Sequence, residues 1–492
     1  MEKNFTFIDL FAGIGGFHKA LVNSGGICKG YSEINKDAIE TYCDNHNEKA
    51  ENNLGSITQI EALPTHDILT AGVPCQSWSI AGKNLGFDDD RGQLWNDTIY
   101  LLKESQPKAF IFENVKGLTD PRNKKALEYI MDRIKQAGYY ADFHIINSYD
   151  YGVAQNRVRV YIIGFKEKRY FDAFNLPQPL EHKIKLADVL GLRSEKNRII
   201  PKALDLFGNE IKSKNMSLSS TNGYNDYFLF NDLRNGDTTI HSWDILDTTP
   251  RQKEICTLLL KNRRKSSYGK LDGNPISLAH FKSLDSTIEI DEIEALIELD
   301  IFKKIEYIFV IKDRDNSNIT TQESEVLINE ENGYITMDIL KTNRQLKLQK
   351  IDISKVLTSL REKNIIELYE YRYDFKNTKI STGLFGVNRV FLPSSDIFPT
   401  LVASDTNDYI ALKDIPHSKN YKEKFLNEIY YKENYRKITK EEACLIQGFP
   451  KDFKLPPSRN RWMRLIGNSV SVPVIEMLIG AMLDTGISLS DK

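Results

Sequence analysis

Residues 67–82 read DILTAGVPCQSWSIAG. The run ILTA at 68–71 is apolar and has the length of a buried strand. Gly72, Val73 and Pro74 then end the strand and turn the chain, and Cys75 follows at once. A residue at the carboxyl end of a parallel strand sits where open α/β sheets bind their ligands. Pro74 has a fixed φ and no N–H, so it stiffens the loop carrying the thiol. Taken alone, Cys75 reads as the small buried hydrophobe that most free cysteines are. Its neighbours along the chain change that reading.

On either side, short apolar runs alternate with helical patterns up to about residue 165. Strands are predicted at 5–10, 27–32, 67–71, 109–112 and 159–165, and helices at 17–24, 37–45, 94–104 and 123–137. Such alternation implies a doubly wound, mostly parallel sheet covered on both faces. Residues 166–198, with Pro177, Pro179 and mixed charge, read as a connector. From 199 to 390 the pattern is irregular, with one helix predicted at 291–305 whose Ile293, Leu296, Ile297 and Ile301 share a face that reads as core. Residues 391–465 are expected to complete this smaller domain, and 466–492 to return to the first. The first domain is therefore split by a large insertion, which is tolerated when the insertion's ends lie close together.

The 492 residues carry a net charge of −2, so any nucleic-acid surface must be a local patch. Five scattered cysteines without a CxxC pair argue against a disulfide framework or a zinc knuckle and suit a reducing cytoplasm. The N-terminus lacks the basic start and apolar core of a signal peptide. The apolar stretch 470–487 contains Pro473, Glu476 and Asp484, and reads as a buried helix rather than a membrane span.

The first strand runs into FAGIGG at 11–16, a glycine-rich turn that lets a ligand approach backbone N–H groups at a helix start. Glu33 ends the second strand some 20 residues past Gly13, the place for a carboxylate that grips ribose hydroxyls. Together they point to a nucleoside-bearing cofactor. Glu113, in ENV at 113–115, leaves its strand at the same sheet edge as Cys75. Across a pocket from a thiol it can be an acid with a raised pKa. In QNRVR at 155–159, alternation puts Arg157 and Arg159 on one face, where buried arginines need carboxylates or phosphates. The GNSV stretch at 467–470 opens the terminal helix.

The set resembles the cytosine-5 DNA methyltransferase family. The matching pieces are FIDLFAGIGGFHKAL (7–21), the Glu33 strand, DILTAGVPCQSWSIAG (67–82), GFDDDRGQLW (86–95), FENVKGL (112–118), QNRVRV (155–160), ITKEEACLIQGFP (438–450) and GNSVSVPV (467–474). They cover residues 1–165 and roughly 436–485, in the family's order. The resemblance implies a Rossmann-like, S-adenosylmethionine-dependent catalytic domain with an inserted mixed α+β target-recognition domain at about 199–390. Cys75 would attack carbon 6 of a flipped cytosine, Glu113 would hold the ring nitrogen and amine, and Arg157 and Arg159 would organise the pocket, Arg157 being the nearer to the base. Phe11, Gly13, Ile14, Gly16, Glu33, Ile57, Pro74, Leu94, Asn468 and Val470 would surround the cofactor. Ser56 stands where the family often has an acid, which leaves a neutral partner for the adenine amine. The polar loop 83–91, with Gly82, Gly86 and Gly92 as hinges, would be a mobile lid.

In the insertion, the run KNRRKSSYGK at 261–270 is the clearest basic patch, and Arg263, Arg264 and Lys265 are the expected DNA contacts. The resemblance further implies double-stranded DNA as partner, a monomer without metal or membrane, and a prokaryotic cytoplasmic enzyme paired functionally with a restriction endonuclease without a stable complex. A tRNA methyltransferase is disfavoured by the long insertion. A catalytically dead DNA binder is disfavoured by Cys75, Glu113 and Arg157. A nicotinamide oxidoreductase leaves Cys75 with Glu113 unexplained.

Overall fold

The computed structural model describes residues 5–74, 90–192, 225–271, 273–313, 318–377 and 389–489, the backbone alone at 90–92. Cys75 and nearly all of the loop expected as a lid lie outside them. The chain divides into two compact units: Met1–Tyr227 with Phe391–Lys419 and Asn427–Lys492, and Phe228–Val390 with Asn420–Leu426.

The first unit is built on a six-stranded sheet. Its strands are β1 (Phe5–Leu10), β2 (Gly26–Ser32), β3 (Ile68–Gly72), β4 (Ala109–Val115), β5 (Tyr140–Asn147) and β7 (Val158–Phe165), with the short β6 (Gln155–Asn156) outside it. The order is β2-β1-β3-β4-β7-β5. The three pairs of neighbours up to β4 run parallel, and β7 is antiparallel to both β4 and β5. Alternate residues feed two cores. Phe5, Phe7, Ile111, Ile163 and Phe165 face one, against the C-terminal helix Val472–Asp484 and α1 (Gly16–Asn23). Ile8, Leu10, Leu69, Phe110, Phe112 and Ile162 face the other, against α3 (Asp90–Ser105) and α4 (Lys124–Gln136). The sheet is apolar on both faces because both are covered. Asp9, which interrupts the first strand, is fully buried. Burial pushes its carboxyl up to about 8, against the hydrogen bond it accepts from Thr70 Oγ1 at 3.0 Å.

The expected strands and helices of this unit form with ends shifted by a few residues. One strand of the six-stranded sheet was not expected: β5, half of whose residues are exposed. It is an edge strand, so it lacks the apolar run that marks its inner neighbours. The apolar stretch near the end forms the buried helix Val472–Asp484, preceded by helix Arg459–Asn468, and Val474, Ile475, Leu478, Ile479 and Met482 lie in the core. Helix Lys440–Gln447 also belongs here rather than to the smaller domain, since Ala443, Cys444 and Ile446 are buried in the same cluster. The insertion's ends do lie close together: Leu392 N donates to Asp226 O at 2.9 Å, and the rings of Tyr227 and Phe391 are 4.9 Å apart.

In the second unit, an antiparallel sheet of Tyr334–Thr336, Phe302–Ile311 and Ile366–Phe375 carries helices Pro250–Asn262 and Ile290–Glu298 in one core and Ile353–Glu362 in another. The helix expected at 291–305 stops at Glu298. Asp300 takes φ 63°, and the chain enters a strand at Phe302. Ile293, Leu296 and Ile301 are nonetheless all core.

Four segments of the first unit meet around Arg157. Its Nη1 donates to Leu401 O (3.3 Å) and Gly467 O (3.2 Å), and its Nη2 to Ser469 O (2.7 Å). Gln155 Nε2 donates to Ile446 O and to Gln447 Oε1, Gln155 Oε1 accepts from Leu401 N, and Gln447 Nε2 donates to Ser469 O. Gly467 is where two backbones touch: a Cβ there would lie 2.5 Å from Val402 C and 2.7 Å from Ala403 N. Gly467→Ala should therefore lower stability by about 1–3 kcal/mol, read from the urea midpoint at constant m. An unchanged midpoint would show that residues 402–403 yield freely.

Candidate active site

Parallel strands bring their carboxyl ends to one edge, so the residues after β1, β2, β3 and β4 meet there. They line a cavity of ≈ 350 Å³. The turn after β1 is unusual: Phe11 has φ 52° and Gly13 φ 56°. Gly15 has φ 83°, and a Cβ there would fall 2.2 Å from His46 Nε2, which itself bonds Ile14 O at 2.9 Å. Glycine is thus required both for the backbone angle and for the approach of the helix α2 (Lys36–His46).

Glu33 holds this turn. Its Oε2 accepts from Gly13 N at 2.8 Å, and its Oε1 from Ile34 N at 2.8 Å and Asn35 N at 2.7 Å. A carboxylate has about four acceptor positions. Three N–H donors therefore leave one, on Oε2, for a hydroxyl. Beside it Ile34 is 73% exposed, an apolar side chain at the cavity's rim.

Glu113, near the end of β4, is 8% exposed and forms an ion pair through Oε1 with Arg159 Nε at 3.1 Å. Burial raises its pKa above the carboxylate range, and Arg159 and Arg157 pull it back only in part. The next residue anchors the loop that leads to Cys75: Asn114 Nδ2 donates to Val73 O at 3.1 Å. Pro74, the last described residue of that loop, is in the cavity wall.

Of the residues named from sequence, Phe11, Gly13, Glu33, Ser56, Ile57, Pro74, Leu94, Glu113, Arg157, Arg159 and Asn468 line this one space. Ile14, Gly16 and Val470 are not among its walls. Ile14 and Val470 are core, and a Cβ on Gly16 would meet Ser469 Oγ and Val470 Cγ2 at 2.7 Å, so that glycine serves packing. Cys75 lies outside the described residues. Arg157 and Arg159 do not share a set of anionic partners. Arg157 meets backbone carbonyls, whereas Arg159 is the one that meets Glu113. Ser56 Oγ sits 2.9 Å from Thr58 Oγ1 and is otherwise open to the cavity. Sequence reasoning missed Asn114, Gln155 and Gln447 as individuals, although all three stand inside quoted motifs, and gave no sign of Arg464, which also lines the cavity.

In the second unit, Arg263 is not a surface cation. Its side chain is 5% exposed and grips Asp374 through Nε and Nη2 at 3.0–3.2 Å. It lies just past the end of helix Pro250–Asn262 and turns inward, whereas Arg264 and Lys265 are exposed.

A family model described as C-5 cytosine-specific DNA methylase matches residues 5–484. The Type II methyltransferase M.HgiCII of Herpetosiphon aurantiacus is 40% identical over 489 residues, which span 98% of this chain and 97% of that protein. M.HgiBI of the same organism is 39% identical over 483 residues, 97% and 96% of the two chains. The Type II methyltransferase M.NlaIV of Neisseria lactamica is 29% identical over 518 aligned positions, 98% and 100% of the two. With a cavity at the carboxyl edge of a mostly parallel sheet and a full-length match on this scale, the chain belongs to the C-5 cytosine-specific DNA methylase family and is a DNA (cytosine-5-)-methyltransferase.

Proposed function

We propose that the enzyme methylates carbon 5 of a cytosine flipped out of duplex DNA, with S-adenosylmethionine as donor and a transient bond between Cys75 and carbon 6. The observation that carries this reading is that one cavity is lined both by Phe11, Gly13 and Glu33 and by Pro74, Glu113 and Arg159. Its volume is in the range that ligand sites occupy. The residues fit the donor. Glu33 keeps one acceptor position for a ribose hydroxyl, Phe11, Ile57 and Leu94 offer apolar walls to a purine, and Ser56 offers a hydroxyl to its amine. When bound, the donor supplies an electrophilic methyl group.

The protein's own part is to make carbon 5 nucleophilic. The Cys75 thiolate adds to carbon 6. A free thiol of pKa ~8.5 is only a few per cent ionised near pH 7, so the site must favour the thiolate or take its proton during attack. Glu113, kept toward its protonated form by burial, donates to the ring nitrogen and draws electron density away as sulfur adds. Arg159 holds that carboxyl in place. Loss of the carbon 5 proton after transfer lets the carbon 6–sulfur bond break, and Cys75 leaves as thiolate. Extruding the base from a duplex costs roughly a few kcal/mol. The second unit, within about 199–390, is the target-recognition region that repays it. The relatives named above are type II enzymes, so the product is host DNA protected in a prokaryotic cytoplasm from a cognate endonuclease.

Cys75→Ser should abolish methyl transfer with cofactor affinity little changed, and an oligonucleotide bearing 5-fluorocytosine should become covalently attached to the wild-type chain but not to the variant. Turnover by the variant, or no adduct on a duplex that is otherwise methylated, would refute the nucleophile. Bisulfite sequencing of DNA from cells expressing the chain supplies that duplex. Glu113 acts protonated, so its contribution is lost as pH rises through its raised pKa, while that of Cys75 grows. Glu113→Gln should lower kcat by about 10²–10⁴ and remove the falling limb of the kcat/KM profile, and an unaltered limb would assign it elsewhere. Exchanging 199–390 together with Asn420–Leu426 for the counterpart of a relative should move the methylated site. A retained site would locate recognition elsewhere.

A further inference from the structure

The second unit contains a pocket of its own, ≈ 220 Å³, lined by Arg263, Arg264, Lys303, Lys341 and Asp374 among others. Four cations face one carboxylate, and that carboxylate is already committed. Asp374 is buried and accepts from Arg263 Nε and Nη2. Three chain segments contribute. Arg263 follows helix Pro250–Asn262, Lys303 stands directly across from Asp374 in the antiparallel pair of Phe302–Ile311 and Ile366–Phe375, and Lys341 is on helix Met337–Thr342. A direct cross-strand pair shares one sheet face, which places Lys303 beside the Arg263–Asp374 pair.

Two features separate this pocket from a solvated basic face. Arg263 is anchored. The Cβ position of Gly273 falls 2.7–2.8 Å from its guanidinium, so that only a bare backbone fits over it. Its Nη1 has no hydrogen-bond partner among the described residues, although the side chain is 95% buried and forms a wall of the pocket. Nη1 therefore presents its N–H donors to the pocket with no protein acceptor among the described residues taking them. In addition, neither Lys303 nor Lys341 has a carboxylate within ion-pair distance among the described residues, and Lys303 stands close enough to Lys341 to disfavour the charge of Lys341. Burial and the Lys303 ammonium together lower the pKa of Lys341, against Asp374. Like charges gathered around a guanidinium that still has donors to offer favour an anion in their midst.

We propose that this pocket receives one phosphodiester group of the DNA backbone, with Arg263 Nη1 as the fixed donor and the ammoniums of Lys303 and Lys341 as its mobile partners. The proposal rests on the DNA reading above. It also changes how the basic run at 261–270 is used: Arg263 contributes from inside a pocket, and its main partners come from 40 to 78 residues further along the chain. A phosphate contact of this kind sets register and carries no sequence information.

The test is the salt dependence of duplex binding, followed by anisotropy of a labelled duplex, for wild type and for Lys303→Gln/Lys341→Gln. Arg263 is left intact because removing it strands Asp374. Each phosphate neutralised contributes about 0.9 to the slope of log K against log salt. The double variant should therefore lose about 1 from that slope. Its deficit in affinity should shrink by about 3–4-fold between roughly 50 and 200 mM salt, equally on specific and non-specific duplexes. Melting temperature and cofactor titration serve as folding controls. An unchanged slope overturns the pocket and leaves the methyltransferase reading standing. A loss of about 2 means two separate phosphates and also overturns it. If inorganic phosphate raises the melting temperature of wild type but not of the variant while the slopes agree, the pocket takes a free anion and the DNA assignment falls. A wild-type chain that binds no duplex defeats the functional reading and this one together.

Discussion

One guanidinium ties the catalytic edge of the sheet to parts of the chain 244 to 312 residues away. Arg157 is 2% exposed, and a charge so placed costs several kcal/mol unless its donors are met. Here its Nη1 and Nη2 donors are met by the neutral carbonyls of Leu401, Gly467 and Ser469. The arrangement works only if the C-terminal return and the strand-like segment near residue 401 are both in place. Gln155 and Gln447 close the same knot, since Ser469 O accepts from Gln447 as well as from Arg157. A lysine would not substitute, because its three donors radiate from one nitrogen and cannot span carbonyls as a planar fork does.

The same constraint decides how Glu113 behaves. Two arginines stand close enough to favour its ionised form, and burial still wins. Had Arg157 been free to pair with Glu113 alongside Arg159, the balance would have tilted toward the ionised carboxylate. Engaging Arg157 with carbonyls keeps its positive charge near but its hydrogen bonds elsewhere. Burial from β7 contributes to the same result: Tyr161, directly across from Glu113, is itself fully buried. Burial thus sets the direction of the site's acidity, and two arginines separated by a single residue temper it.

Much of this was legible in the sequence, for a physical reason. Strands β1, β3 and β4 lie inside a sheet covered on both faces, so each is mostly apolar, β1 broken by Thr6 and Asp9, and the residues that end them fall at one edge. The glycine turn, Glu33 and Glu113 could be placed together on that basis alone. What failed to show has equally specific causes. Strand β5 is at the sheet's rim and looks polar. The helix expected to reach residue 305 ends early because Asp300 adopts a left-handed angle that an isoleucine pattern does not announce. Arg263 looked like one member of a basic run, yet its partner is 111 residues away. The role of Arg157 was hidden most completely, because its partners are carbonyls, which every residue possesses.

The geometry of the insertion explains how the first unit could accept different insertions. The chain leaves and re-enters the first unit at a point closed by Leu392 N to Asp226 O and by Ser395 Oγ, which accepts from Asp226 N. Closing a long insertion there costs little, because loop entropy grows only slowly with length. Yet the second unit is not one continuous piece. Phe425 returns to it and stacks on Phe228 with ring centroids 3.9 Å apart, and Lys422 pairs with Asp244. A different insertion would find that return segment carrying the wrong side chains for its core. The stretch Asn420–Leu426 must therefore change in step with 228–390, while the carbonyls that hold Arg157, being backbone, can stay as they are whatever sequence the second unit carries.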